Sequence, residues 1–173
     1  MTSFRVDVLA ENDWPRLRDI RLTALKADPP VFLSSHETEL AFDERQWRQE
    51  FLRGDWHVMV RHGPGEDNPG TGTLDIGLVG VTREPDTPSQ ERYLEYFWVA
   101  QGFRRRGMAS VLLRTVLDRL RESRVRTVWL YILDGNDDAM RLYQRFGFQS
   151  TNEVQPLPND PTRTEELMRL RLF

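Results

Sequence analysis

Cysteine is absent from the 173 residues. That excludes thiol nucleophiles, thiolate metal sites and disulfides, and it fits a reducing compartment. Lysine occurs once, at Lys26, so 23 of the 24 basic residues are arginine. Such a bias weakens the case that any single arginine has a special role. Long apolar runs are missing too: none approaches the ~20 residues that a membrane-spanning helix needs. The opening MTSFRVDVLAEND has no basic stretch followed by an apolar one, so no export signal is expected and the expected location is cytoplasmic. A basic surplus is also lacking. With a net charge of −3, neither nucleic acid nor membrane is an expected partner, because phosphate-neutralising proteins carry a positive excess. The histidines, His36, His57 and His62, show no ligand spacing, and no metal is assigned.

What is present reads as a globular domain. Hydrophobic residues make up 39% and charged residues 29%, and the length suits one domain spanning 1–173. Phe4, Val6 and Val8 alternate with polar neighbours, the period of a half-buried strand. Asn12 and Asp13 then cap a helix that ADPP stops. VFLSSHETEL reads as a loop, and Asp43 to Leu52 as a second helix. DWHVMVRH and IGLVGVTRE read as strands joined by a hairpin loop, GPGEDNPGTGTLD. An aromatic strand runs from Arg92 to Val99. Leu112, Leu113, Val116, Leu117 and Leu120 mark a helix buried on one face.

RTVWLYIL, Arg126 to Leu133, is nearly continuously apolar and reads as an interior strand. Ala139, Leu142, Tyr143 and Phe146 define a short helix closed by Gly147. GFQST leaves as a strand, PLPNDPT reads as a loop, and EELMRLRLF returns as a strand. The expected fold class is α+β, one mixed sheet with helices packed on it.

The stretch GFRRRGMASVLL joins the aromatic strand to a helix. Strand, turn, glycine and helix together build an anion site from backbone. The first amides of a helix have no internal partner, and the helix dipole places partial positive charge there. Gly107 permits φ > 0 and close approach, and Ala109 keeps the next turn slim. Arg104, Arg105 and Arg106 add full charges. Two readings stand at this point: a pyrophosphate cradle, or a solvated basic turn that merely starts a helix. Neither G-x-G-x-x-G nor a P-loop is present.

A second segment decides between them. Arg104, Gly107 and Ala109 match the Gln/Arg-x-x-Gly-x-Gly/Ala loop, and LYILDGNDDAMRLYQRFGF follows at the right separation. Together the two segments resemble the GNAT acyltransferase superfamily, which binds acetyl-coenzyme A, from about Tyr93 to Phe148. Gln101 stands where many members have proline. The resemblance implies a GNAT-like fold with splayed central strands. It implies that backbone at Phe97, Trp98 and Val99 pairs with the pantetheine arm and polarises the thioester carbonyl. It further implies that Arg104 to Arg106, Gly107, Met108, Ala109 and Ser110 hold the pyrophosphate, with Asn136, Ala139 and Tyr143 also at the cofactor.

Tyr143 is the implied acid for the departing thiolate, since a phenol near pKa ~10 suits an alkyl thiol. Without the motif, Tyr143 reads equally as a core residue, and Asn136 as a helix cap. Glu95 is the best-placed carboxylate for a base, with a solvent-facing role as its alternative; Glu91, Tyr93 and His36 are poorer candidates. Phe32, Ser34, Ser35, Tyr96, Trp98 and Tyr131 are candidate liners of an acceptor pocket. The function implied is direct N-acetyl transfer to a primary amine of a small molecule or peptide. The alternative from another class is a non-catalytic acyl-CoA-binding module. The resemblance leaves room for a homodimer, with no interface assigned.

Overall fold

The computed structural model describes residues 3–63 and 72–173. Most of the expected hairpin loop, 64–71, lies outside the described residues. The described chain forms seven strands and five α-helices. In chain order they are β1 Ser3–Val8, α1 Trp14–Ala27, α2 His36–Leu40, α3 Glu44–Arg53, β2 Gly54–His62, β3 Thr73–Thr82, β4 Glu91–Val99, α4 Met108–Glu122, β5 Thr127–Leu133, α5 Asp137–Arg145, β6 Gln149–Leu157 and β7 Asp160–Arg171. The strands make one mixed sheet in the order β1-β2-β3-β4-β5-β7-β6. No helix among the described residues is long and apolar enough to cross a membrane.

Each face of the sheet has its own core. Leu17, Ile20 and Ala24 of α1 pack with Trp56, Val58, Leu78 and Trp98 on one face. On the other, the α4 stripe from Leu112 to Leu120 packs with Ile76, Val79, Val128, Leu130 and Ile132, joined by Leu142 and Tyr143 of α5. Each fully buried aliphatic side chain there contributes about 2 kcal/mol relative to exposure. The expected fold class and the one-faced burial of α4 hold.

Local signals explain the boundaries. Asp43 and Gln46 form a reciprocal capping box at α3, with bonds of 2.8 and 2.9 Å. The expected cap of α1 does not form: Asp13 takes the N-cap place, but its side chain accepts from the preceding Ala10 amide at 2.8 Å rather than from α1, and Ala27 precedes Asp28 and Pro29, where the helix ends. Three further expectations need correction. VFLSSHETEL is not all loop: Ser35 accepts from the Thr38 amide at 3.1 Å and starts α2. Thr73 to Asp75 belong to β3, where they pair with His62 to Val60. PLPNDPT is mostly strand, with only Pro158 and Asn159 between β6 and β7. Pro156 is tolerated because β6 lies at the sheet edge.

Candidate active site

The two central strands part company. β4 and β5 run parallel and pair only at Glu91–Thr127, Arg92–Val128 and Tyr93–Trp129. Beyond Tyr93 no ladder joins them, so β4 from Leu94 onward and β5 from Leu130 onward leave a wedge-shaped slot. A bulge in β4 accompanies the split. Leu78 pairs with Trp98 and Gly80 with Glu95, so Tyr96 and Phe97 together oppose Val79. Tyr96 takes φ +52°, rare for a bulky side chain, and the surrounding contacts must hold it there.

Those contacts centre on Arg21, which is almost fully buried. Its guanidinium binds Glu39 twice, at 2.9 and 2.6 Å, and Glu50 at 2.5 Å. It lies 4.2 Å from the Tyr96 ring centre and is flanked by Trp47 and Trp56. The Tyr96 hydroxyl donates to Glu39 at 2.8 Å. Burial, with the neighbouring Glu39 charge, pushes the Tyr96 phenol well above its ordinary range, so it stays a donor. Gly80 makes room for Trp56: a Cβ there would sit 2.8 Å from the indole.

The slot leads to the mouth of α4. Gly107 precedes the helix with φ +80°, and a Cβ built on it would meet nothing within 4 Å. The first amide engaged is that of Val111, which bonds the Gly107 carbonyl at 3.0 Å. Among the described residues, no acceptor meets the amides of Arg105, Arg106, Gly107, Met108, Ala109 or Ser110. Six free donors at a positive helix end, with open space above the glycine, make a seat for a bulky anion. Arg105 and Arg106 are exposed beside it.

Arg104 does something else. Its Nε donates to the Val99 carbonyl at 2.7 Å, and its Nη2 to Asp28 at 2.5 Å. Asp28 also accepts from the Trp98 indole at 2.7 Å. Burial works to raise the Asp28 carboxyl, but the bonds from Arg104 and Trp98 outweigh it and the net shift is downward. The Trp98 side chain is therefore committed to the α1 face, and only its backbone lies along the slot. Asp28, within the ADPP helix stop, thus also anchors the end of β4.

Tyr143 of α5 reaches the opposite wall. Its ring meets Phe97 edge-on at 5.9 Å and Phe148 at 5.5 Å. Burial holds the phenol protonated well above its ordinary range, and its hydroxyl has no hydrogen bond within the described protein. Asn136 caps α5 by accepting from the Ala139 amide at 3.3 Å. Its Nδ2 has no protein acceptor among the described residues. Ala139 packs half-buried at the edge of the same core.

Glu95 lies on the other side of the sheet from Tyr143. Leu94 and Phe97 pack toward α4 and α5, while Tyr96 packs toward α1. Glu95 meets Arg53, at the end of α3, at 3.3 Å. Phe32 stacks on Tyr96 at 5.7 Å, and Phe32, Ser34 and Ser35 line a hollow of about 370 Å³ with His36 and Asn159. Tyr96, Trp98 and Tyr131 do not line that hollow. No group of metal-ligating side chains occurs among the described residues.

Residues 26–148 match the model of the Acetyltransferase (GNAT) family. The chain belongs to this family. An uncharacterised N-acetyltransferase of Bacillus subtilis, YdgE, is 30% identical over 77 residues, covering 44% of this chain and 49% of YdgE. The spermine/spermidine N(1)-acetyltransferase of the same organism is 29% identical over 72 residues, covering 41% of this chain and 47% of that protein. The chain thus spans about half the length of the curated relatives it matches. The fold is shared with yncA of Salmonella typhimurium, solved with acetyl-CoA, at a TM-score of 0.71, 15% identity, and coverage of 99% of this chain and 95% of that one. It is also shared with the ribosomal-protein-S18-alanine N-acetyltransferase of Escherichia coli, at a TM-score of 0.66, 16% identity, and coverage of 98% and 94%. This GNAT chain accordingly carries the family's mixed sheet and split central strands.

Proposed function

We propose that this GNAT chain is an N-acetyltransferase that passes an acetyl group from acetyl-CoA to a primary amine held in the same complex. The observation that carries the reading is the slot between β4 and β5 running into six unengaged amides at the start of α4. Those donors fit a diphosphate, and the bare edge of β4 fits an extended amide-bearing arm. Acetyl-CoA, when bound, supplies the acyl group as an activated thioester.

The chain's own residues do the rest. The amides of Arg105 to Ser110 bind the diphosphate, with Arg105 and Arg106 adding charge. The backbone of Phe97 to Val99 extends the sheet to the pantetheine arm, and an amide there polarises the carbonyl. Arg104 positions this strand end by gripping Val99 and Asp28. Nδ2 of Asn136, and the backbone beside Ala139, face the arm from α5. Tyr143 gives its proton to the departing sulfur. Glu95, across the sheet, draws a proton from the attacking ammonium, directly or through water. Acid and base on opposite faces suit a reaction whose leaving group and attacking amine come from opposite sides. The protein's contribution is mainly positioning and carbonyl polarisation.

The proposal includes one domain spanning 1–173 and a cytoplasmic location. The acceptor is a small-molecule or peptide amine. The B. subtilis spermine/spermidine relative supports a small amine. Amine-dependent release of CoA thiol across an amine panel tests the reading. Tight CoA binding with no amine-dependent release would assign the chain to a binding module instead.

A further inference from the structure

The rings of Tyr93, Trp129 and Tyr131 stack across the fork where β4 and β5 part. Tyr93 lies 6.5 Å from Trp129 at 24° and 6.5 Å from Tyr131 at 12°. Tyr93 and Trp129 are the last ladder pair, and Tyr131 is the first outward residue beyond it. Trp129 and Tyr131 alternate with Val128, Leu130 and Ile132, which are buried in the core under α4 and α5. The stack therefore stands on the opposite face, the one Glu95 occupies. Although β5 is an interior strand, Tyr131 is 42% exposed.

The chemistry around the stack selects a cation. The Trp129 indole donates to Glu91 at 2.7 Å, and the Arg169 guanidinium already lies over that ring at 5.8 Å. Glu165 pairs with Leu133, two residues along β5 from Tyr131 on the same face. Burial, then the Glu165 and Glu153 charges, holds the Tyr131 phenol above its ordinary value; burial, then Tyr131, Glu91, Glu84 and Glu153, does the same for Tyr93. Glu165 takes a hydrogen bond from Gln155 at 2.8 Å, while Glu153 has no ion-pair partner among the described residues. Nearby Glu95 is balanced by Arg53. Arg169 occupies the Trp129 face and Glu165 is already buried, which leaves the exposed Tyr131 ring and Glu153 open to a ligand; an apolar tail would cover the ring but desolvate that carboxylate, whereas an ammonium meets both.

We propose that Tyr131, backed by its stack on Tyr93, with Glu153 and Glu165, seats a second, non-reacting cation of the acceptor, so that the substrate is an amine bearing at least two positive charges. The inference rests on the transferase reading, because it takes the reacting amine to enter the slot from this face.

The test compares hexane-1,6-diamine with hexylamine, which differ only in the distal ammonium, in the full-length protein with acetyl-CoA. The expected result is a kcat/KM roughly tenfold higher for the diamine, in the range of a partly desolvated cation–π contact. In Tyr131→Leu and in Glu153→Gln, both at exposed positions, that preference should fall several-fold. Equal rates for the two amines, or a preference untouched by both variants, overturns the inference. Binding read by tryptophan fluorescence separates it from the transferase reading. Saturable diamine binding that Tyr131→Leu abolishes, with no transfer to any amine, keeps the cation seat and removes the enzyme. Neither binding nor transfer of the diamine removes the seat.

Discussion

The rings of Phe97 on β4 and Tyr143 on α5 meet edge to face at 5.9 Å and 71°, across a gap that no β4–β5 ladder closes. Tyr143 thus bears on the slot and on the core at once. Its hydroxyl does nothing for the fold that the described contacts reveal, which makes Tyr143→Phe a clean probe.

Tyr143→Phe should leave thermal stability within about 0.5 kcal/mol, since no internal hydrogen bond is lost. CoA release with amine should fall by about 10²-fold or more, as expected for loss of a general acid. Because burial raises this phenol above its ordinary value of 10.0, it remains protonated throughout the neutral and mildly alkaline range. A fall in kcat between pH 7 and 9 that vanished in the variant would contradict the assignment.

Gly107→Ala should cost about 1–2 kcal/mol of stability from its left-handed backbone alone, because no atom crowds the new Cβ. CoA affinity measured by calorimetry should drop by more than this strain explains, since the methyl projects into the proposed diphosphate seat. Gly107→Asn relieves much of the strain, as asparagine tolerates that conformation, and should still bind CoA weakly.

The Arg21 cluster should be the most sensitive point of the α1 face. Arg21→Met leaves the fully buried Glu39 without a cation, while Glu50 keeps only Arg53 at 3.5 Å, at a cost of about 3–5 kcal/mol. Replacing Arg21 and Glu39 together by Met and Gln should cost less than Arg21→Met alone. Chemical denaturation of the three proteins checks the order.

Acid sensitivity should trace in part to His57. Burial, then the Arg119 charge, lowers its pKa from 6.5 to about 4. Between those values the unfolded chain binds the proton and the folded chain does not, so stability falls as pH drops from 6.5 toward 4. The loss is at most about 3 kcal/mol. In His57→Leu the denaturation midpoint should lose most of its slope over that window.

Short-range chemistry made much of this legible in the sequence. The 3.6-residue stripe of α4, the glycine before it and the Gly147 stop of α5 each fix their own local structure. The β4 bulge was not legible, because Leu94 to Val99 is apolar or aromatic on both parities apart from Glu95, so no alternation marks where the phase shifts. Arg104 looked like a phosphate ligand beside Arg105 and Arg106. Its partner Asp28 lies 76 positions away, and such a pairing leaves no periodic trace. Arg21 and Glu39 were hidden for the same reason, since a charged residue on a helix reads as solvated until its partner is placed. Tyr131 reads as a candidate pocket liner, but its stack with Tyr93 and Trp129 was not legible, because the open face appears only once β4 turns away.

The most direct test is a crystal structure of the chain with coenzyme A. Diphosphate oxygens are expected within hydrogen-bond distance of the amides between Arg105 and Ser110, with the pantetheine arm lying between β4 and β5 beyond Tyr93. A diphosphate bound elsewhere, or β4 and β5 paired along their full length with the arm outside, would contradict the proposed function.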